Sequence, residues 1–317
     1  MSDGTEEFDE LPGFEVVVPP EVEPDLVDVL PRGYLSPSQI SMFLKCAYQW
    51  KLVYVDNKPR KTSARMYQGV FVHSGVEAVL RERLASGKLP PLEMATDTFS
   101  SAFDESKGLI DDWEGSEEGF VKDTGIKCAK AYYDEAAKDA TPIAVEKTTV
   151  TVIRSEDGKI KLPILGRIDS IQVQSHTEQE YQDIRESVVS NIETPAAAKI
   201  TKPKRINDLK VVTNKWPEGK LANDLQFTIY AGSEHIPDVQ VDQIVKGRAA
   251  VPRVRYERLT GVVTPQMVKH AENVALDVAK SIAMGNFPRT DPSNWNCSEK
   301  WCGMWEHCRG KTLATKL

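Results

Sequence analysis

The sequence predicts an α/β protein, with a small mixed sheet and flanking helices behind a helical N-terminal region. Two changes of pattern support this fold class. Apolar residues recur at helical spacing between residues 35 and 140, whereas the alternation typical of strands begins near residue 143. The last thirty residues have little periodicity but are rich in tryptophan and cysteine. They are expected to form a segment that closes back on Cys46.

The composition is typical of a globular protein with a sizeable core. Of the 317 residues, 40% are hydrophobic and 27% are charged. A run of 18 or more apolar residues is missing, so no membrane span is expected. The first thirty residues contain no lysine or arginine and no apolar stretch of signal-peptide type, so secretion is not expected. We therefore expect a reducing, cytoplasmic location, which for a viral protein is the host cytoplasm.

The acidic residues are concentrated at the N-terminus. Residues 1–31 contain ten of the 47 acids and none of the 40 bases, so residues 32–317 hold 40 bases against 37 acids. We predict a disordered, solubilising arm over 1–31; the alternative is a segment that binds a partner or mimics DNA. The predicted regions that follow are a helical region over 32–140, a core over 141–290 and a cysteine-rich segment over 291–317.

Within the helical region, Ser36-Pro37 is a helix-start signal with serine as N-cap and proline at the first position. Apolar residues then recur at helical spacing. Further helices are expected over 65–85, 95–111 and 117–138.

In the core, strands over 143–153 and 160–173 are separated by the hairpin signal Asp157-Gly158. Residues 174–203 are polar and are expected to form a loop insertion. The remaining predicted elements are a strand over 205–213, a helix over 219–234, strand-like residues over 240–262 and a helix over 264–285.

A candidate catalytic motif lies in the predicted strand 205–213. Residues two apart on a strand share a face, so Asp208 and Lys210 point the same way while Leu209 points into the core. A carboxylate can bind a divalent cation, and a neighbouring ammonium can orient water and neutralise developing charge. The tripeptide is common, however, and a surface ion pair is the alternative.

A second acid occupies a similar place in the strand 160–173. Asp169 follows Gly166-Arg167-Ile168 and could share a cation with Asp208 if the two strands are neighbours. Oxygen ligands of this kind suit Mg²⁺ or Mn²⁺ better than Zn²⁺. In the following helix, Gln226 and Tyr230 are four residues apart and therefore project from one face.

The cysteines form a second constellation. Cys297, Cys302 and Cys308 lie within twelve residues, and Cys46 is the expected fourth member. In a reducing compartment such a cluster indicates metal ligation rather than disulfides. The spacings of four and five residues differ from the CxxC knuckles usual for zinc, and an iron–sulfur cluster, zinc and free core thiols all remain open. Cys128 lies within a predicted helix as a buried small hydrophobe.

The order of these features resembles the RecB-type branch of the PD-(D/E)xK nuclease superfamily, which includes the AddB and CRISPR-associated exonucleases. The resemblance extends from Leu35 to Cys308. Its motifs are Leu-Ser-Pro-Ser-Gln-Ile-Ser-Met-Phe-Leu-Lys-Cys (35–46), Gly-Val-Phe-Val-His-Ser-Gly-Val-Glu (69–77), Gly-Arg-Ile-Asp (166–169), Asp-Leu-Lys (208–210), and Gln226 with Tyr230. The proline that the superfamily carries before the first acid is replaced by Ile168.

The resemblance implies a restriction-endonuclease-like core and a set of roles. His73, Asp169 and Asp208 are the implied metal ligands, and Lys210 serves the attacking water. Gln226 and Tyr230 are implied to lie beside the active site or the DNA. Without the resemblance, a histidine on an apolar helix would be interpreted as a packed or surface residue. Glu77, one turn beyond His73, is expected either to hold the imidazole or to be solvated.

For the cysteines, the resemblance implies a [4Fe–4S] cluster held by Cys46, Cys297, Cys302 and Cys308, which would join the N-terminal helix to the C-terminus. His307 is then expected to be a bystander, and a substitute ligand is the alternative.

DNA contacts are expected from basic clusters, since such charges can follow a phosphate backbone. Trp216, close to the Asp208–Lys210 strand, is a candidate for stacking on a base. The basic candidates are Lys58, Arg60, Lys61, Arg65, Lys202, Lys204, Arg205, Arg248, Arg253, Arg255 and Arg258.

The residues and the resemblance together imply a Mg²⁺- or Mn²⁺-dependent DNA exonuclease acting on single-stranded or end-exposed DNA. Recombination, repair, replication and CRISPR adaptation are all open as its pathway. The chain contains no P-loop, so a helicase or recombination protein is expected as partner if the reaction needs a motor. Two alternatives are a DNA-binding or assembly protein of this fold that does not cut, and a zinc-stapled interaction module.

Overall fold

A computed structural model describes residues 29–174, 177–190, 202–247 and 253–309. The predicted arm over 1–31 falls almost entirely outside these residues, as does Arg248. Within the described residues, no helix combines the length and the hydrophobicity needed to span a bilayer.

The fold is a five-stranded mixed sheet with helices on both faces, which confirms the predicted fold class. The strands follow one another in sheet order, and only β3 and β4 are parallel. A helix crosses over between these two strands, as parallel pairing requires. The strands are β1 (Pro142–Arg154), β2 (Lys161–Val173), β3 (Lys204–Val212), β4 (Asp238–Val245) and β5 (Arg255–Val262).

The helices begin and end close to the predicted positions in the N-terminal region. Ser36 caps the first helix by accepting a hydrogen bond from the Gln39 amide. The helices are α1 (Pro37–Lys45), α2 (Ala47–Tyr54), α3 (Ala64–Ser86), α4 (Leu92–Ser106), α5 (Glu118–Glu135), α6 (Glu178–Ser190), α7 (Leu225–Glu234), α8 (Pro265–Ala283) and α9 (Trp305–Cys308).

Each face of the sheet covers its own hydrophobic core. Helices α3, α4 and α5 pack on one face, where they bury Leu209 and Ile244 of the central strands. Helices α1, α2, α7 and α8 pack on the other face, over Ile206 and Val241. Strand β3 thus sends alternate side chains into two cores, and its polar residues lie where the helical layers leave room for them.

The predicted loop over 174–203 is wrong in part, because Glu178–Ser190 is helical. Tyr181 is fully buried and donates from its hydroxyl to the Pro142 carbonyl (3.1 Å). Arg185 donates to the Ala85 carbonyl (2.9 Å), which satisfies an acceptor at the C-terminal end of α3. The sequence of α6 is not markedly apolar, because polar contacts to the start of β1 and to the C-terminal end of α3 hold it in place.

Two other predicted elements are each divided. The predicted helix over 219–234 is interrupted at Asp224, whose carboxylate accepts from the Gln226 amide and so begins α7 after a short 3₁₀ turn (Glu218–Asn223). The strand-like stretch over 240–262 is two antiparallel strands, β4 and β5.

Candidate active site

The two predicted aspartates come together where β2 and β3 separate. The antiparallel ladder ends at the pair Ser170–Asn207, so Asp169 and Asp208 are the next residues on either strand. Beyond this point the amide of Leu209 donates to Asp169 Oδ2 (2.8 Å) instead of to a strand partner. The two strands are neighbours, as the shared-cation hypothesis requires.

Asp208, Lys210 and Gln226 form a triangle closed by one ion pair and two hydrogen bonds. Asp208 is 2% exposed, and its Oδ2 lies 2.6 Å from Lys210 Nζ. Gln226 donates from Nε2 to Asp208 Oδ1 (2.7 Å) and accepts from Lys210 Nζ at 3.5 Å. Because Gln226 stands in the first turn of α7, the Asp224 cap sets its position against the strand. The structure therefore brings these three predicted residues together.

His73 reaches the same site from helix α3. Its Nδ1 lies 3.3 Å from Asp169 Oδ2. Close packing of α3 on α4 requires Gly75, since a Cβ atom at that position would stand 2.5 Å from the Ala95 carbonyl oxygen. Glu77, one turn further, forms ion pairs with Arg81 (2.7 Å) and Arg167 (3.9 Å).

A third acid, Glu146, was not predicted from the sequence. One ligand atom each from His73, Glu146 and Asp169 lie within 4.8 Å of one another, which is close enough to bind one cation. Glu146 lies in β1 between residues paired with Ser170 and Ile168, and its backbone has φ of 51°. A non-glycine residue rarely adopts this conformation. The sequence offered only a weak signal, an acidic residue within an apolar strand.

The charges in the site compensate one another. Burial raises the pKa of Asp208 to about 6, with a further rise from Asp169. Burial is the largest single effect on Asp169 and His73 and works against their charged forms. Their mutual hydrogen bond and attraction, together with Lys210 for Asp169 and with Asp208 for His73, outweigh burial, so the pKa of Asp169 is lowered and that of His73 is raised. Burial and Asp169 raise the pKa of Glu146. Lys210 is also buried, but Asp208 and Asp169 hold its pKa above the ordinary value, so it remains an ammonium at neutral pH.

Tyr230 supports the strand that carries Asp169. Its hydroxyl donates to the Arg167 carbonyl (2.9 Å) and accepts from the Arg167 amide (3.3 Å), two residues before Asp169. The ring lies against Gly166, where a Cβ atom would be 2.4 Å from Tyr230 Cε1. Tyr230 therefore acts on the site through the backbone of β2, whereas Gln226 contacts the site directly.

We expect the substitution Gly166→Ala to lower the free energy of unfolding by about 1–3 kcal/mol, because the added methyl group must displace the Tyr230 ring. A matched control is Gly69→Ala within α3, where the new Cβ atom meets no other atom within 4 Å. That substitution is expected to stabilise the helix by up to about 1 kcal/mol. Urea unfolding of both variants measures the difference, and equal effects would contradict the proposed Gly166–Tyr230 contact.

The four predicted thiols line a single cavity of about 320 Å³, although Cys46 is far from the others in sequence. Burial raises the pKa of Cys302, and the charges of Cys46, Cys308 and Cys297 raise it further. Two guanidinium groups face the sulfurs. Arg309 donates to Cys297 Sγ (3.6 Å), and a hydrogen bond with Cys308 raises the pKa of Arg289.

Cys128 and His307 are not among the residues that line this cavity. Cys128 is fully buried in the core under α3, α4 and α5. His307 Nε2 lies 3.2 Å from the Pro59 carbonyl oxygen.

The predicted DNA-contacting bases are dispersed. Arg205 donates to Gln240 (2.9 Å), and Arg258 donates to the Tyr256 hydroxyl (2.7 Å) and approaches the buried carboxylate of Asp242 (3.4 Å). These two arginines therefore belong to a polar network on the sheet.

Other bases form ion pairs or stand at the surface. Arg65 is 3.3 Å from Glu114, and Lys202 pairs with Glu180. Arg255 is 3.1 Å from Glu257. The exposed candidates include Lys58, Arg60, Lys61, Arg65, Arg253 and Arg255.

Two of the solved structures that resemble this chain are distant likenesses. One is the "putative exonuclease" from Eubacterium rectale, which is 13% identical over 83% of this chain and 86% of that chain, with a TM-score of 0.47. The other is SSO0001, which is 14% identical over 80% of this chain and 88% of that chain, with a TM-score of 0.32. No curated protein matches the sequence.

The mixed sheet presents two aspartates and a lysine beside a histidine, a set that could bind a divalent cation and stabilise negative charge next to it. Residues 34–185 match the family model of the PD-(D/E)XK nuclease superfamily. Over these residues the sequence is similar to this superfamily. The matched residues include His73, Glu146 and Asp169, which together could hold a metal ion.

Proposed function

We propose that the chain is a Mg²⁺- or Mn²⁺-dependent DNA exonuclease that hydrolyses phosphodiester bonds of single-stranded or end-exposed DNA. The observation that carries this proposal is the convergence of Asp169, Asp208 and Lys210 with His73 at the point where β2 and β3 separate. The proposal includes membership of the RecB/AddB-like branch, close to the CRISPR-associated iron–sulfur exonucleases, and a motor or recombination protein as partner.

The donor set fits a hard divalent cation. Asp169 and Glu146 offer carboxylate oxygens and His73 an imidazole nitrogen within one small region. Asp208 would complete the ligand set, because it stands beside Asp169 at the end of the ladder. When bound, the cation would supply Lewis-acid stabilisation of charge on the phosphate.

The chain's own residues would carry the remaining steps. In hydrolysis, a water oxygen forms a bond to phosphorus as the bond from phosphorus to the leaving sugar oxygen breaks, and one proton passes to that oxygen. Lys210 would donate hydrogen bonds to the water or to a phosphate oxygen and so orient the attack and stabilise negative charge. It would not remove a proton, because its raised pKa keeps it charged. Gln226 would hold Lys210 and Asp208 in register.

The cysteine cavity supports a [4Fe–4S] cluster over a single zinc ion. Four thiolates around one zinc ion stand about 3.8 Å apart, as Zn–S bonds of about 2.3 Å in a tetrahedron require. Among the described residues, which include all four cysteines, only His73, Glu146 and Asp169 form a group with ligand atoms within 4.8 Å. In any three of these thiols, at least one pair is therefore wider apart than four ligands of one zinc ion, a spacing that suits a cluster with irons at separate corners. Arg289 and Arg309 would offset the negative charge of the sulfurs.

The test of the proposal is cleavage of end-labelled oligonucleotides with Mg²⁺, with Mn²⁺ and with EDTA. We expect cleavage of a linear single strand with either metal, none in EDTA, and none of a circular single strand, since an exonuclease needs an end. Binding of DNA without cleavage under every metal condition would favour the non-cutting assembly protein. Cleavage of the circle would replace the exonuclease by an endonuclease.

Glu146, which the sequence did not indicate as a metal ligand, gives a separate prediction. The Glu146→Gln variant is expected to need on the order of tenfold or more Mn²⁺ for half-maximal activity, because it loses one anionic ligand. Glu234→Gln is a matched control, since the Glu234 side chain is 11% exposed and paired with Lys147, whereas that of Glu146 is 10% exposed and paired with Arg167. An equal metal requirement for the two variants would remove Glu146 from the ligand set.

A further inference from the structure

An open groove of about 580 Å³ lies beside the catalytic strand. Three segments that are far apart in sequence form it: the start of α3, the turn that follows β3, and the cysteine-rich segment. The residues that carry the argument are Arg65, Lys215, Trp216, Lys220, Lys300 and Trp301. We call this surface the tryptophan groove.

The groove is positively charged. Four of its lining residues are basic, and the lining includes no acidic residue. Lys215, Lys220 and Lys300 are exposed, and Arg65, also exposed, pairs at one side with Glu114 (3.3 Å). This charge favours a polyanion and disfavours a basic partner surface.

The groove also presents two aromatic rings. Trp301 is 46% exposed and has the Arg65 guanidinium 5.4 Å and the Lys300 ammonium 5.2 Å from its ring centroid. Trp216 has Lys220 Nζ 3.8 Å from its ring centroid. Each ring therefore combines an apolar face with an adjacent positive charge, which is what a stacked base and its phosphate require together.

Trp216 is held firmly and close to the catalytic residues. Its amide donates to Gln243 Oε1 (2.6 Å), and its ring meets the edge of Phe227 at 6.5 Å between centroids. Phe227 follows Gln226 directly, and the turn that bears Trp216 begins just after β3, which carries Lys210. Burial lowers the pKa of Lys220, Asp224 opposes this effect, and the charges of Lys45 and Lys210 lower the pKa further.

We propose that the tryptophan groove binds a single-stranded segment of the nucleic-acid substrate, with bases stacked on Trp216 and Trp301 and phosphates paired with the lining cations. This inference rests on the proposed function and names the form of substrate that the site receives. A duplex is not the occupant, because its paired and stacked bases offer no free faces to the rings. The cysteine-rich segment supplies Lys300 and Trp301, so its closure completes the groove.

The test is binding of fluorescein-labelled oligothymidylate of about 20 residues to the full-length protein in EDTA, measured by fluorescence anisotropy. Trp216→Ala and Trp301→Ala are each expected to weaken binding by about 5- to 100-fold, as for loss of one stacked base. Trp216→Phe and Trp301→Phe are expected to restore most of the affinity, which a merely misfolded variant would not do. Unfolding temperatures measured alongside identify any variant that fails to fold.

Charge and strand form are tested in the same assay. Lys300→Gln is expected to reduce the dependence of affinity on salt concentration, whereas Lys138→Gln, an exposed lysine outside the groove lining, is expected to leave it unchanged. A duplex of the same length is expected to bind more weakly and to be insensitive to the tryptophan substitutions. Oligouridylate that binds as tightly, and with the same sensitivity to the tryptophan substitutions, would support a groove that recognises a single strand whether its sugar is ribose or deoxyribose.

The groove and the nuclease can fail separately. Cleavage that proceeds normally while both Trp→Ala variants bind the strand as tightly as the wild type would overturn the groove and leave the nuclease intact. Binding that depends on both rings, without cleavage under any metal condition, would overturn the nuclease and leave the groove. Equal sensitivity of duplex and single-strand binding to the substitutions would also overturn the groove.

Discussion

Replacement of Lys210 by methionine is expected to lower the rate of DNA cleavage with Mn²⁺ by roughly 10²- to 10³-fold. The ammonium group lies 2.6 Å from Asp208 Oδ2 and within hydrogen-bond reach of Gln226. In the substitution the hydrocarbon stem is preserved while the donor to the water or phosphate is lost. Single-turnover rates at saturating DNA measure the effect on the chemical step apart from binding.

The same substitution leaves the buried Asp208 carboxylate without the neighbouring Lys210 ammonium group. Its pKa, already raised to about 6 by burial and by Asp169, is expected to rise further, so that the carboxyl group takes up a proton. The protein should therefore stay folded, at a cost in stability that thermal unfolding measures. Lys138→Met is the control for loss of a lysine outside the site. A wild-type rate in Lys210→Met would remove Lys210 from the mechanism, and a wild-type rate in Asp208→Asn would do the same for Asp208.

The second large effect is expected from Cys302→Ser, which should remove iron and colour from the protein. Cys302 is half-buried beside the other three thiols in the cysteine cavity, so serine there cannot complete a four-thiolate site. The wild type, purified without oxygen, is expected to be brown and to contain iron and sulfide in equal amounts. The variant is expected to be colourless and to unfold at a lower temperature, because metal binding and folding are coupled.

Cys128→Ala is the matched control for this experiment. Cys128 is fully buried but lies in the core under α3, α4 and α5, so its loss is expected to lower stability and to leave the iron content unchanged. A colourless wild type that contains one zinc ion would replace the cluster by the zinc-stapled alternative. Iron retained in Cys302→Ser would exclude Cys302 as a ligand.

The sequence predicted the parts of the fold and site that depend on short-range patterns. Asp208 and Lys210 share a face because strand geometry alone requires it, and the structure places them 2.6 Å apart. The two strands suggested that Asp169 could share a cation with Asp208 if they were neighbours, whereas the place of His73 required the resemblance, since no local pattern relates helix α3 to strand β2.

The parts that the sequence did not predict depend on long-range or unusual backbone geometry. Glu146 reaches the site because its backbone adopts a positive φ within β1, which no feature of its side chain indicates. The hydrophobicity pattern does not predict helix α6, because two of its buried residues, Tyr181 and Arg185, are held by polar contacts to other elements. Arginine counts against burial in any such pattern.

The packing of helices α1 and α2 against Phe287 has a consequence for synthesis of the chain. Phe43 of α1 and Trp50 of α2 both pack against Phe287, and the centroids of the stacked Trp50 and Phe287 rings are 5.9 Å apart. Bringing Phe287 to Trp50 closes a loop of roughly 240 residues, and the length-dependent entropy of that closure costs about 5 kcal/mol. While a ribosome is still translating the protein, the first two helices therefore lack their aromatic partner until residue 287 has emerged. A premature stop codon anywhere before Phe287 would leave those helices permanently unsealed and exposed to proteases.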